Sequence, residues 1–380
     1  MTSYFAKQLF DGTTVHSNAR FAVEDHSIKS LETECVGQNG ADIYLNGLVT
    51  AGFIDTQVNG GGGSLFNADT SVAALANMMT GHSQFGTTSM LPTLITDSET
   101  KMQSAASAIA EAIAQQLSGV IGVHFEGPHL SLPKKGIHPS NHVRAISDAD
   151  LALFLRKDLG KVMVTLAPET VPADIISELV RAGVIVSLGH SAADIECVIK
   201  AIDAGANGFT HLFNAMSGLT AREPGLIAAA LNDDRMTSGL IADLHHVHPY
   251  NCQLAFKSIG AERLILVTDA MAHVGSPINS IPWLDTHITR HGEKLTLEDG
   301  SLAGSCLDMA GAVRNMVQVL NGQLTSVLNM ASQVPARFLG LDHLGELAVN
   351  KHANFVLLDD KLQVQASWIN GQQVAGESLN

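Results

Sequence analysis

Between residues 49 and 268, apolar runs of strand length recur, and stretches with apolar positions at helical spacing lie between them. The runs occupy residues 49–54, 87–91, 120–124, 162–166, 184–188, 208–210, 239–242 and 264–268. The spacing predicts helices over 72–82, 101–116, 172–182 and 193–204, with Pro172 suited to a first helical turn. Strand and helix alternating in this way build a parallel sheet wrapped by helices, and eight units closing on themselves predict an α/β fold of the (β/α)8, TIM-like barrel type.

The two ends of the chain read differently. Short strand-like pieces, Tyr4-Phe5-Ala6, Arg20-Phe21-Ala22-Val23 and Ile43-Tyr44-Leu45, precede the alternation, and Asn354-Phe355-Val356-Leu357-Leu358 and Ser367-Trp368-Ile369 follow it. Together they predict a small accessory β-sandwich domain made of residues 1–48 and 343–380, around a barrel domain of residues 49–342. The turn-rich stretch 275–304 predicts a β-hairpin insertion, and helical patterns over 307–320 and 324–338 predict helices that cover the barrel.

At 380 residues and 46% hydrophobic content, the chain can bury one large core with residues left for an accessory unit. No apolar run approaches the roughly 18 residues that span a bilayer, and residues 1–10 lack a basic region followed by a long apolar stretch, so a soluble, cytoplasmic protein is expected. The four cysteines, Cys35, Cys197, Cys252 and Cys306, are scattered without CxxC spacing, which points to buried free thiols. A net charge of −15 argues against nucleic-acid or membrane-surface partners, since either needs a basic face. Seventeen histidines leave position as the only guide to which of them bind anything.

In a barrel of this kind, functional groups gather at the C-terminal ends of the strands. Polar residues just after the apolar runs include Asp55-Thr56-Gln57-Val58-Asn59, Glu126, His190, His211, His246 and Asp269. Glu126, His190 and His211 supply the carboxylate and imidazole donors a catalytic divalent metal takes while keeping a position open for water. Each alone reads more simply as a strand-end residue bonded to a loop; three together, with an aspartate after the eighth strand, favour the metal. Asp269 would lie beside the attacking water, where a carboxylate can take a proton and return it to a leaving group. The Gly60-Gly61-Gly62-Gly63 run matches no nucleotide-binding motif and reads as a flexible active-site turn.

Six ordered motifs then carry a resemblance that runs nearly end to end: Gly52-Phe53-Ile54-Asp55-Thr56-Gln57-Val58-Asn59-Gly60, His124-Phe125-Glu126-Gly127-Pro128, Lys134-Lys135-Gly136-Ile137-His138, Gly189-His190-Ser191, His211-Leu212-Phe213-Asn214-Ala215-Met216 and Val267-Thr268-Asp269-Ala270. The chain resembles the N-acetylglucosamine-6-phosphate deacetylases of the amidohydrolase superfamily. The resemblance implies a metal-dependent hydrolase that releases acetate from N-acetylglucosamine-6-phosphate, a small-molecule amino-sugar phosphate, and that forms a homodimer. It implies Glu126, His190 and His211 as metal ligands, Asp269 as base and then acid, and His138 as a group that polarises the acetyl carbonyl or holds the sugar. It further implies substrate contacts from Asn214, Ala215, Arg222 and His246, the last two in their own site or a neighbouring subunit's. Many superfamily members carry His-x-His after the first strand and a bridging lysine after the fourth. Here Gln57-Val58-Asn59 and Ala167-Pro168-Glu169 stand there, which predicts one metal per chain, Zn²⁺ by default, with Fe²⁺, Mn²⁺ or Co²⁺ also accepted by such donors. Gln57 is expected to orient water or neighbouring side chains. Competing readings are an N-acetylgalactosamine-6-phosphate deacetylase and a non-catalytic scaffold, and retention of the ligand set argues against the scaffold.

Overall fold

The apolar stretch around residue 50 serves two sheets rather than one. In the computed structural model, which describes residues 1–36 and 40–377, Ile43–Ala51 is a strand of the accessory sheet, and the first barrel strand is Phe53–Val58. The strand expected over 49–54 is thus split at Gly52, where the chain crosses from one sheet to the other. A β-carbon at Gly52 would overlap the Thr88 side chain, so the close passage of backbone requires glycine. A continuous apolar run carries no mark of such a crossing, because both halves are buried.

Eight parallel strands form the barrel sheet: Phe53–Val58, Thr87–Ile95, Gly122–Glu126, Lys161–Leu166, Ile185–Leu188, Gly208–Phe209, Thr237–Ile241 and Leu264–Val267, each beside the next in sequence. The first and last meet through a Val58–Ala270 bridge and a bond from the Asp269 N–H to the Gln57 carbonyl at 2.9 Å. A buried side-chain clasp reinforces this seam, with the Thr268 hydroxyl 2.5 Å from Asp55 Oδ2. The helices start where short polar side chains cap them. Ser71, Ser98 and Asp194 accept from the amides of Ala74, Lys101 and Cys197 and begin helices Val72–Ser83, Glu99–Ala114 and Ile195–Asp203.

Both chain ends contribute to a seven-stranded accessory sheet in which Ile43–Ala51 lies between Thr2–Phe10 and Phe355–Leu358. Its core stacks Tyr4 on Phe21, with ring centroids 4.9 Å apart, and Phe355 on Trp368, at 4.5 Å. The expected hairpin insertion is a four-stranded antiparallel sheet, Ser280–Trp283, Thr286–His291, Lys294–Thr296 and Leu302–Ser305. The helix expected over 307–320 is α-helical at Met309–Arg314 and continues as a π-turn over Asn315–Val319. The one expected over 324–338 divides at Ser332 into Leu324–Ala331 and Gln333–Phe338. All four cysteines are free, but only Cys252 is buried. Among the described residues, no helix is long and apolar enough to cross a membrane.

Candidate active site

The C-terminal ends of the strands open into a cavity of about 190 Å³ lined by Glu126, His138, His190, His211, Asn214, Ala215, His246 and Asp269. Several of these residues have left-handed backbones that side chains other than glycine rarely adopt. His190 has φ 48°, His211 34°, Ala215 50° and Asp269 53°. Each such residue costs on the order of 1–3 kcal/mol and persists only where its surroundings hold it. Here the surroundings are backbone bonds. The His190 carbonyl accepts from Ser131 at 2.9 Å, the Ala215 carbonyl from Ser191 at 3.0 Å, and the Asp269 carbonyl from Ser305 at 2.9 Å. The sharp turn at each strand end aims the side chain into the mouth of the barrel.

Three donor atoms meet there. His190 Nε2 and His211 Nε2 lie 3.1 and 2.9 Å from Glu126 Oε1, and 2.9 Å from one another. Atoms each about 2.0–2.1 Å from a tetrahedral zinc ion would stand about 3.3 Å apart, close to the triangle found. The His190 ring is oriented by its other nitrogen, since Nδ1 lies 2.8 Å from the Lys134 carbonyl. A carbonyl only accepts, so the proton sits on Nδ1 and the Nε2 lone pair faces the triangle. The side chains of Glu126, His190 and His211 are no more than 6% exposed. Burial works against the Glu126 charge, but bonds to the two imidazoles hold its pKa well below the ordinary glutamate value. A buried carboxylate and two imidazole nitrogens that converge on one point fit a divalent cation.

His138 also comes close, in that Glu126, His138 and His190 present ligand atoms within 4.8 Å of one another. Its hydrogen bonds point to another use. The Thr96 backbone N–H, which can only donate, lies 3.3 Å from His138 Nδ1, so Nδ1 is the acceptor and the proton is on Nε2. Burial, then the neighbouring His190, pushes the His138 pKa well below the ordinary histidine value. It is thus a neutral N–H donor, unlike His190 and His211, whose Nε2 atoms converge on Glu126.

Asp269 completes the floor. Its Oδ1 accepts from Asn59 Nδ2 at 2.6 Å and Gln57 Nε2 at 3.3 Å, and the same Gln57 amide donates to Glu126 Oε1 at 3.1 Å. Gln57 therefore ties two carboxylates together. Desolvation, with the Glu126 charge adding to it, raises the Asp269 pKa to about 6. Beneath the site the barrel is filled by a chain of bonds from His124 to Thr165 at 2.7 Å, on to Thr210 at 2.6 Å and to Ser187 at 2.7 Å. Burial pushes the His124 pKa down to about 4, so this layer adds no positive charge near neutrality.

Of the residues singled out from the sequence, the structure brings Glu126, His138, His190, His211, Asn214, Ala215, His246 and Asp269 to one cavity, with Gln57 just behind its wall. Arg222 is not among them; it is exposed on the loop before helix Gly225–Asn232. Leu302 and Gly304, from the last strand of the four-stranded insertion, line the cavity and were not expected. Met271, two residues after Asp269, joins them, and its place after the eighth strand is the one signal that could have found it.

A family model described as the amidohydrolase family matches residues 48–374. A protein of Shewanella sp. (strain ANA-3), an N-acetylgalactosamine-6-phosphate deacetylase, is 51% identical over 327 residues, which cover 86% of this chain and 83% of that one. The crystal structure of N-acetylglucosamine-6-phosphate deacetylase from Pasteurella multocida is similar over 100% of both chains, with a TM-score of 0.93 and 35% identity. An aspartate-to-alanine mutant of the N-acetyl-D-glucosamine-6-phosphate deacetylase from Mycobacterium smegmatis, in complex with N-acetyl-D-glucosamine-6-phosphate, has a TM-score of 0.91 at 30% identity and covers 98% of this chain and 99% of its own.

Proposed function

The chain belongs to the amidohydrolase family, and on that premise we propose that it hydrolyses the acetamide of an N-acetylhexosamine 6-phosphate, converting N-acetylglucosamine-6-phosphate to glucosamine-6-phosphate and acetate. The observation that carries this reading is the meeting of Glu126 Oε1, His190 Nε2 and His211 Nε2 at 2.9–3.1 Å in a cavity that Asp269 shares. These three residues would hold one divalent ion, with Zn²⁺ the default. Such an ion, when bound, supplies a Lewis acid that polarises the acetyl carbonyl and acidifies water.

The chain's own groups do the rest. Asn59 and Gln57 engage Asp269 Oδ1, which leaves Oδ2 to take a proton from the attacking water and pass it to the departing nitrogen. His138, with its proton on Nε2, donates to the acetyl oxygen as negative charge builds there. The Ala215 amide and His246 offer donors for the substrate's phosphate. Asn214 joins them by turning its amide from the His211 and Leu212 carbonyls, to which it donates at 3.2 and 3.4 Å. Arg222 is exposed and off the cavity, so it would serve the phosphate of a second subunit in a homodimer. A phosphorylated sugar does not cross a bilayer unaided, which favours action in the cytoplasm.

The galacto epimer is a second reading, favoured by the 51% identity to the Shewanella protein. Acetate release from both sugar phosphates, measured with metal content, tests the whole. We expect about one metal ion per chain and a loss of roughly 10³-fold in turnover for D269N, the scale of removing a general acid and base. Full activity in D269N would remove Asp269 from the chemistry, and no acetate from either epimer would end the reading. The ratio of the two kcat/KM values names the preferred epimer.

A further inference from the structure

Asp243 plays no part in the chemistry above, yet it is 7% exposed and makes more bonds than a loop aspartate needs. It stands after the seventh barrel strand, Thr237–Ile241, and its carboxylate folds back on its own loop. Oδ1 accepts from the backbone amides of His245 at 2.9 Å and His246 at 2.8 Å, and Oδ2 lies 2.6 Å from His246 Nδ1. Leu244, between them, takes the left-handed φ of 65° that lets the loop curl over the carboxylate. Burial opposes the Asp243 charge, but His246 and the backbone amides of His245 and His246 together hold its pKa below the ordinary aspartate value.

An ionised carboxylate only accepts, so the proton between them belongs to His246 Nδ1. The ring forms part of the cavity wall, and Nε2 is the nitrogen left to face a ligand. The carboxylate on the far side of the ring fixes its rotation, so that Nε2 is turned to the cavity.

We propose that Asp243 is a positioning residue for substrate binding: it fixes the His246 ring with its proton on Nδ1 and turns Nε2 toward the substrate. The kinetic half of this inference rests on the sugar-phosphate reading; the geometry of the pair does not.

Two measurements separate the halves. Ring ¹⁵N spectra of histidine-labelled protein, with H246Q to assign the His246 signals, should show a proton on Nδ1 that is lost or redistributed in D243N. A His246 protonated only at Nε2 in the wild type would overturn the pairing, whether or not the protein has deacetylase activity. In steady-state kinetics, D243N and H246Q should each raise KM for the preferred sugar phosphate by about ten- to a hundredfold, as for one buried hydrogen bond to the substrate, while kcat changes by less than about threefold. The double variant should be no worse than H246Q alone. Losses that multiply in the double variant, or an unchanged KM in D243N, would show that Asp243 does not act through His246. A wild type that releases no acetate would sink the sugar-phosphate reading, and with it this kinetic role, while the spectra still decide the pair.

Discussion

Asp55 illustrates how a single buried carboxyl can set the stability of a barrel. It lies under the active site, wholly enclosed, and burial raises its pKa to about 7 against bonds from the Thr268 hydroxyl and the Gln57 amide. From about pH 4 to about pH 7 the folded chain therefore holds a proton that the unfolded chain has released. Asp55's contribution to stability is full below that window, falls as pH rises through it and is flat above. D55N, which stays neutral throughout, should lack this slope. Between pH 5 and pH 7 the wild type should lose about 2–3 kcal/mol relative to D55N in urea unfolding. Parallel pH profiles for the two proteins would mean that Asp55 is ionised in the fold. The residues around it differ in how openly the sequence announced them. Glu126, His190, His211 and Asp269 were legible because each directly follows a strand-length apolar run. Asp55 stands out in the sequence only as part of a motif, since nothing in its neighbours tells a clasp across the barrel seam from an ordinary loop aspartate.

Among the elements, the loop after the fourth barrel strand shows what stands in place of the lysine that many superfamily members carry there. Glu169 stands there and grips the next loop with both oxygens, accepting from the Ser191 hydroxyl at 2.6 Å and the Ala192 amide at 2.7 Å. Those two residues directly follow His190, whose strained backbone this grip helps to hold. E169A should therefore weaken metal binding by about 10–100-fold, read by competition with a chromogenic chelator. Unchanged competition would reduce the grip to local packing. The absence of lysine was visible in the sequence, but the positive role of Glu169 was not, because its partners lie on a different loop. The same limit hid Leu302 and Gly304, which reach the cavity only once the four-stranded insertion has folded over it. It also hid the crossing at Gly52, where periodicity is silent because both flanking strands are buried.

For the whole molecule, the eight barrel strands are hydrogen-bonded in order, and the turns that carry His190 and Asp269 are held by backbone bonds. Stripping the metal should therefore leave the far-ultraviolet circular dichroism unchanged while lowering the melting temperature. At a metal concentration 100 to 1,000 times the dissociation constant, binding adds about 3–4 kcal/mol, a shift of several degrees for a chain of this size. Loss of secondary structure on stripping would show that the fold and the ion are inseparable. The placement of strand Ile43–Ala51 between Thr2–Phe10 and Phe355–Leu358 carries a further consequence for synthesis on the ribosome. One flank of that strand stays open until its distant neighbour emerges, after about 300 more residues and roughly 15–60 s of elongation. During that interval the nascent chain exposes an apolar, unpaired edge of the kind that recruits chaperones or invites aggregation.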